Sequence, residues 1–109
     1  MVNARVDTFL YGDGDVADAV ARGRCYVAAG ADCVYPILAP VEALAELAAA
    51  TGAPVNALAL PDGPSPSRLG ELGASRVSFG HTLHARAGAA LRELSRDLAG
   101  GEQDGDQDD

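Results

Sequence analysis

The 109-residue chain has no tryptophan and no lysine, and aromatic residues make up only 5% of it. All eight basic residues are arginine, set against sixteen acids, for a net charge of −8. No basic stripe runs along the chain, so the phosphate-neutralising term that drives nucleic-acid binding is missing, and nucleic-acid partners are excluded on charge. No apolar run approaches the roughly 20 residues needed to cross a bilayer, so no membrane partner is expected. The opening Met1-Val2-Asn3-Ala4-Arg5 lacks the apolar core of a signal peptide. The two cysteines, Cys25 and Cys33, form no CxxC pair. Reduced, packing thiols in a cytoplasmic protein are therefore expected. A complete αβ barrel needs about 250 residues, more than twice what is present.

The charge is also uneven. Residues 102–109 hold five acids and no base, which leaves −3 for residues 1–101. The expected organisation is a folded body over 1–101 and an acidic, disordered tail over 102–109.

What the chain does have is alanine, 22 residues of it, together with 13 glycines and an internal repeat. Gly30-Ala31-Asp32-Cys33-Val34, Gly52-Ala53-Pro54-Val55 and Gly73-Ala74-Ser75-Arg76-Val77 open alike, each after a helical pattern and before a short apolar run. Glycine just past a helix is the expected stop, because it enters the left-handed region without steric cost. Asp15 is placed to cap a helix carrying Val16, Val20, Gly23 and Val27 on one face. Pro40 suits the first turn of a helix with Val41, Leu44, Leu47 and Ala48 as its stripe. Ser65-Pro66 opens a short helix through Leu69 and Leu72. A last helix carries Leu83, Ala87, Leu91, Leu94 and Leu98 and is expected to stop at Gly100-Gly101.

Strands are predicted over Val2–Phe9, Cys33–Leu38, Val55–Leu60 and Arg76–Phe79. Strands alternating with helices imply an α/β fold of four consecutive βα units with parallel pairing and right-handed crossovers. Period two along the first strand puts Asn3, Arg5 and Asp7 on one face and Val2, Ala4 and Val6 on the other. Helices covering the apolar face would turn Asn-Arg-Asp to the opposite side, which in a barrel is the interior.

Four segments, in order, resemble the C-terminal half of the isocitrate lyase/phosphoenolpyruvate mutase family: Asn3-Ala4-Arg5-Val6-Asp7-Thr8-Phe9, then Arg22 through Asp32, then Pro54-Val55-Asn56-Ala57-Leu58, then Arg76-Val77-Ser78-Phe79-Gly80. The resemblance covers residues 1–100 and implies strands five to eight of an eight-stranded (TIM-type) αβ barrel. It implies a magnesium-dependent lyase or phosphonomutase that cleaves or rearranges C–C or P–C bonds beside a carboxylate. In that alignment the acidic magnesium ligands and the mobile catalytic loop belong to the N-terminal half, so no cofactor is expected within this segment and activity is not expected from it alone. Arg5 matches the family arginine that binds the substrate's anionic group. Lyases often carry a polar or acidic residue where Ile37 stands and a polar one near Leu58, and both are apolar here.

Arg5 and Asn56 are the candidate substrate-binding residues. A guanidinium on an inward strand face can hold a carboxylate or phosphonate bidentately, and the competing role is a structural pair with Asp7. Asn56 could donate to a substrate oxygen or bond neighbouring strand ends instead. The Ser78-Phe79-Gly80-His81 turn is more simply a helix cap than a phosphate site. His81 and His84 lack an acid or cysteine at ligand spacing, and Gly12-Asp13-Gly14-Asp15 lacks the downstream glutamate of a calcium loop. Two functions compete: half of a lyase or mutase acting on small carboxylates or phosphonates once completed, and a non-catalytic half-barrel that binds or oligomerises. On either, the expected partner is a missing N-terminal half or a second copy of the chain.

Overall fold

The computed structural model describes residues 1–11 and 14–108, the side chains beyond residue 100 excepted. Two compact units make it up, Met1–Phe79 and Gly80–Asp109. The first runs β1 (Asn3–Val6), α1 (Thr8–Tyr11), α2 (Val16–Ala28), β2 (Cys33–Pro36), a 3-10 turn at Val41–Ala43, α3 (Leu44–Thr51), β3 (Asn56–Leu58), α4 (Pro66–Glu71) and β4 (Arg76–Ser78).

Local chemistry sets these boundaries. The Asp15 carboxylate accepts the Ala17 N–H at 2.9 Å and caps α2. Ser65 Oγ accepts the Arg68 N–H at 3.2 Å at the start of α4, with Pro66 in the first turn. The three repeat glycines, Gly30, Gly52 and Gly73, all hold positive φ. Gly73 is the most constrained of them. Its φ is +123°, and a Cβ there would lie 2.9 Å from the backbone of Ala45 in α3, so both conformation and space require glycine.

Pairing is parallel throughout the described strands, with Asn3 opposite Cys33 through Val6 opposite Pro36, and Asn56 opposite Arg76 through Leu58 opposite Ser78. The strands are shorter than the sequence pattern suggests, and they form two ladders joined by one bridge, Val34 to Val55. Proline accounts for part of this. Pro36 ends β2 and Pro54 precedes β3, and neither has an N–H to give to a ladder. The first strand also stops early, at Val6, because the Asp7 carbonyl accepts Leu10 N–H at 3.0 Å and turns the chain into α1.

One face of the strands supplies Val6, Val34, Val55 and Ala57 to a core completed by Ala19 of α2, Leu44 and Leu47 of α3, and Leu69 of α4. α2 comes close to α3 at Gly23, where a Cβ would lie 2.8 Å from Thr51 Cγ2. Just beyond β2 the chain turns sharply, with Ala39 N–H donating to the Pro36 carbonyl at 3.0 Å. Leu38 occupies the third position of that turn at φ +63°, the one non-glycine residue with positive φ among those described. Such a placement costs roughly 1–3 kcal/mol.

The second unit carries α5 (Thr82–Asp108), with Leu83, Leu91, Leu94 and Leu98 exposed. The helix continues past the stop expected at Gly100-Gly101. Glycine costs about 1 kcal/mol in a helix interior without breaking it. The side chains of the acidic tail expected over 102–109 lie outside the described residues. No described helix is long and apolar enough to cross a membrane.

Candidate functional site

Parallel register carries the polar face of β1 across the neighbouring strands. Asn3 and Arg5 stand beside Cys33 and Tyr35 of β2, and the Val34–Val55 bridge places Asn56 on the same side. Asn56 is in turn opposite Arg76, and Leu58 opposite Ser78. The two residues singled out from the sequence, Arg5 and Asn56, thus share a face, on strands separated by β2.

The Arg5 side chain is about half exposed (51%) and meets Asp7 through two contacts, Nε to Oδ1 at 2.7 Å and Nη2 to Oδ2 at 3.3 Å. That hydrogen bond and the carboxylate's charge hold the guanidinium still more firmly in its charged form. The pairing occupies one edge of the fork. Nη1 has no protein partner among the described residues, so an anion could engage it without displacing Asp7. Beside it, burial pushes the Tyr35 phenol up from its ordinary value, with the Arg5 charge pulling the other way.

Asn56 is fully buried, and its Nδ2 donates to Ser78 Oγ at 2.9 Å. Its Oδ1 is buried without a partner, and so is Oδ1 of Asn3. Leaving such an oxygen unmade costs about 1–3 kcal/mol. The face therefore carries two acceptors that nothing in the described chain satisfies, two arginines, Arg5 with a free fork edge and Arg76 with one bond to Met1 Sδ, and a phenol.

Two hollows lie at the carboxyl ends of the strands, where parallel sheets place their ligands. One, of about 350 Å³, is polar and lined by Asp7, Thr8, Tyr11, Gly14, Asp15, Asp18 and Arg22. The other, of about 100 Å³, lies beyond β2 and β3 and is lined only by residues with apolar side chains or none. In the polar hollow Asp18 accepts from Thr8 Oγ1 at 2.8 Å and pairs with Arg22 at 2.9 Å, and these contacts hold its carboxyl below the usual range.

These acids do not fit a magnesium ion. Asp7 is committed to Arg5, Asp15 to the α2 cap, and Asp18 to Thr8 and Arg22. Among the described residues no group of three or more His, Cys, Asp or Glu could hold a metal. Gly12 and Asp13 of the calcium-loop-like stretch lie outside the described residues, and Asp15 serves as the helix cap.

Sequence reasoning missed Tyr35, Ser78 and the apolar hollow. Alternation along β2 and β4 could have shown the first two, since each is in phase with an inward polar neighbour. Nothing in the sequence marks the hollow.

The model of the phosphoenolpyruvate phosphomutase family matches residues 1–99. An uncharacterized protein of Mycobacterium tuberculosis is 40% identical over 104 residues, which cover 94% of this chain and 40% of that protein. The crystal structure of a candidate lyase/mutase from Burkholderia cenocepacia superposes with a TM-score of 0.75 at 36% identity, over 91% of this chain and 37% of that one. A candidate phosphonomutase from the same organism gives 0.80 at 31% identity, over 89% and 43%. The chain thus spans about 40% of the length of the curated relatives it matches.

Proposed function

The chain belongs to the phosphoenolpyruvate phosphomutase family, and on that premise we propose that it is the C-terminal half-barrel of an isocitrate lyase/phosphoenolpyruvate mutase-like enzyme acting on a small carboxylate or phosphonate. On this reading its four βα units are strands five to eight of an αβ barrel. Arg5 binds the substrate's anionic group through the edge that Asp7 leaves free, and the Asn56 amide meets a substrate oxygen or a group facing it. Magnesium, if the reaction uses it, is held by acids outside this segment, because the three acids of the polar hollow, Asp7, Asp15 and Asp18, are already engaged. The segment alone is then inactive. Its partners are the substrate and either a completing N-terminal half or a second copy of the chain, in the cytoplasm.

The observation that carries this reading is the polar strand face. A half-free arginine stands there with two buried, unpartnered amide oxygens, on strands whose opposite face is wholly apolar. Such a face fits a wall that something else completes. A second reading, a non-catalytic binding or oligomerisation module, is favoured by the two-point Arg5–Asp7 pair and by the exposed leucines of α5.

The test is complementation. The chain is joined to the part of the Mycobacterium tuberculosis relative that it does not cover. Magnesium-dependent cleavage or rearrangement of a small carboxylate or phosphonate is expected. Arg5→Ala should lower kcat/KM on the order of 10²-fold or more, by removing a charge-assisted contact to substrate. An unchanged kcat/KM in that variant, or turnover by the unfused chain, would contradict the proposal.

A further inference from the structure

The apolar cavity beyond β2 and β3 plays no part in the reading above. It measures about 100 Å³ and is lined by Pro36, Leu38, Leu44, Leu58, Leu60 and Leu69 among others. No lining residue carries a polar side-chain atom, so a water inside would find few of the two to four partners it needs. Such an apolar lining suits a small apolar group, and a closed apolar cavity of about 150 Å³ takes the six carbons of benzene. By proportion this one takes about four carbons.

Its mouth is built at a cost. Leu60, after β3, and Leu38, after β2, are both 44% exposed. Leu38 sits in the left-handed region at the turn position where glycine is the ordinary choice. Everywhere else the described chain takes positive φ it uses glycine: Gly30, Gly52, Gly73 and Gly80. Glycine at position 38 would remove the strain but leave the cavity without that wall. A strained side chain kept at the rim of a cavity, at the end of a parallel sheet where ligands bind, points to a ligand rather than to packing.

We propose that this cavity is a subsite for a branched aliphatic group of about four carbons, and that the ligand is a short branched-chain carboxylate whose acid end goes to Arg5. The clause about Arg5 rests on the function proposed above. The clause about the aliphatic group rests on the cavity alone. Leu58, which follows Asn56 by two residues on the polar face, lines the cavity together with Leu44, Ala57 and Leu69 of the helix side, so the cavity reaches past the strand ends from one face to the other.

Methyl NMR of the full chain separates the claims with three probes: isobutanol, which has the branched group and no charge, acetate, which has the charge alone, and 3-methylbutanoate, which has both. Isobutanol and 3-methylbutanoate should shift the methyls of Leu38, Leu58 and Leu60 saturably, and 3-methylbutanoate should bind about tenfold or more tighter than acetate. Gly63→Val fills the mouth, and the three atoms nearest its Cβ all belong to Leu60, at an ordinary 3.5 Å or more. It should weaken both branched probes about tenfold and leave acetate unchanged. Leu38→Asn replaces the rim with a residue that tolerates the left-handed region. It should weaken the branched probes while leaving the melting temperature unchanged or higher, a split that a packing role would not produce. Equal affinities for acetate and 3-methylbutanoate, or branched-probe binding untouched by Gly63→Val, would overturn the subsite. So would leucine shifts that follow protein concentration instead of probe, since a second copy would then fill the cavity. Saturable isobutanol shifts with no acetate binding would uphold the subsite and sink the role given to Arg5.

Discussion

The two faces of the strands are made from the same short segments by alternation, yet they are finished to different degrees. On the helix side Val6, Val34 and Val55 are at most 1% exposed and meet Leu44, Leu47 and Leu69, all within residues 1–79. On the other side Asn56 and Asn3 bury amide oxygens with no partner, and Arg5 stands half exposed against Asp7. The first face explains why the chain folds. The second keeps groups that folding does not need, and such groups mark where a protein's interactions with other molecules are made.

The widest separation between the faces should come from truncating each in turn. Leu44→Ala on the helix side should cost about 2–5 kcal/mol in chemical denaturation, enough to unfold a good part of a chain this small. Gly73→Ala should follow at about 1–3 kcal/mol, since it combines a positive φ with a Cβ pressed on the Ala45 backbone. On the polar face the cost falls away. Asn56→Leu removes an unsatisfied buried oxygen but also the Nδ2 bond to Ser78, two opposing effects of about 1 kcal/mol each, and should be close to neutral. A loss comparable to that of Leu44→Ala would show the polar face to be core after all. A pH effect comes last. Burial holds the Cys33 thiol and the Tyr35 phenol above their ordinary values of 9.0 and 10.0. The unfolded chain therefore loses these protons first, so stability should decline as pH rises from about 9 upward. Cys33→Ala should flatten the lower part of that decline in a melting series.

Much of the first face was legible in the sequence, because it rests on local rules. The repeat glycines Gly30, Gly52 and Gly73 stop helices where expected, Asp15 and Ser65 cap helices, and period two along β1 separates Arg5 from Val6. The family resemblance was legible as well, and the matching model covers residues 1–99. Strand ends were not, because Asp7 turning into α1 and the two prolines breaking the ladder depend on backbone bonds that apolar patterning does not encode. Of the site, Arg5 and its alternative partner Asp7 were readable from spacing two. The Asn56–Ser78 bond was not, since it joins residues 22 positions apart through a register that only the fold sets. Leu38 was invisible for the opposite reason, because a leucine carries no signal for the left-handed conformation it holds.

Everything proposed for the polar face turns on whether the Arg5 fork is an anion site that Asp7 partly occupies or a strut that Asp7 completes. Titration of the full chain with methylphosphonate, wild type against Asp7→Asn and Arg5→Ala, separates these. An exposed ion pair contributes little to stability, so Asp7→Asn should leave the melting temperature within about 2 °C. It should also bind methylphosphonate severalfold tighter than wild type, because the whole fork is then free. Arg5→Ala should not bind it. No binding in any of the three proteins, together with a clear fall in melting temperature for Asp7→Asn, would make Arg5 a structural residue and contradict the function proposed here.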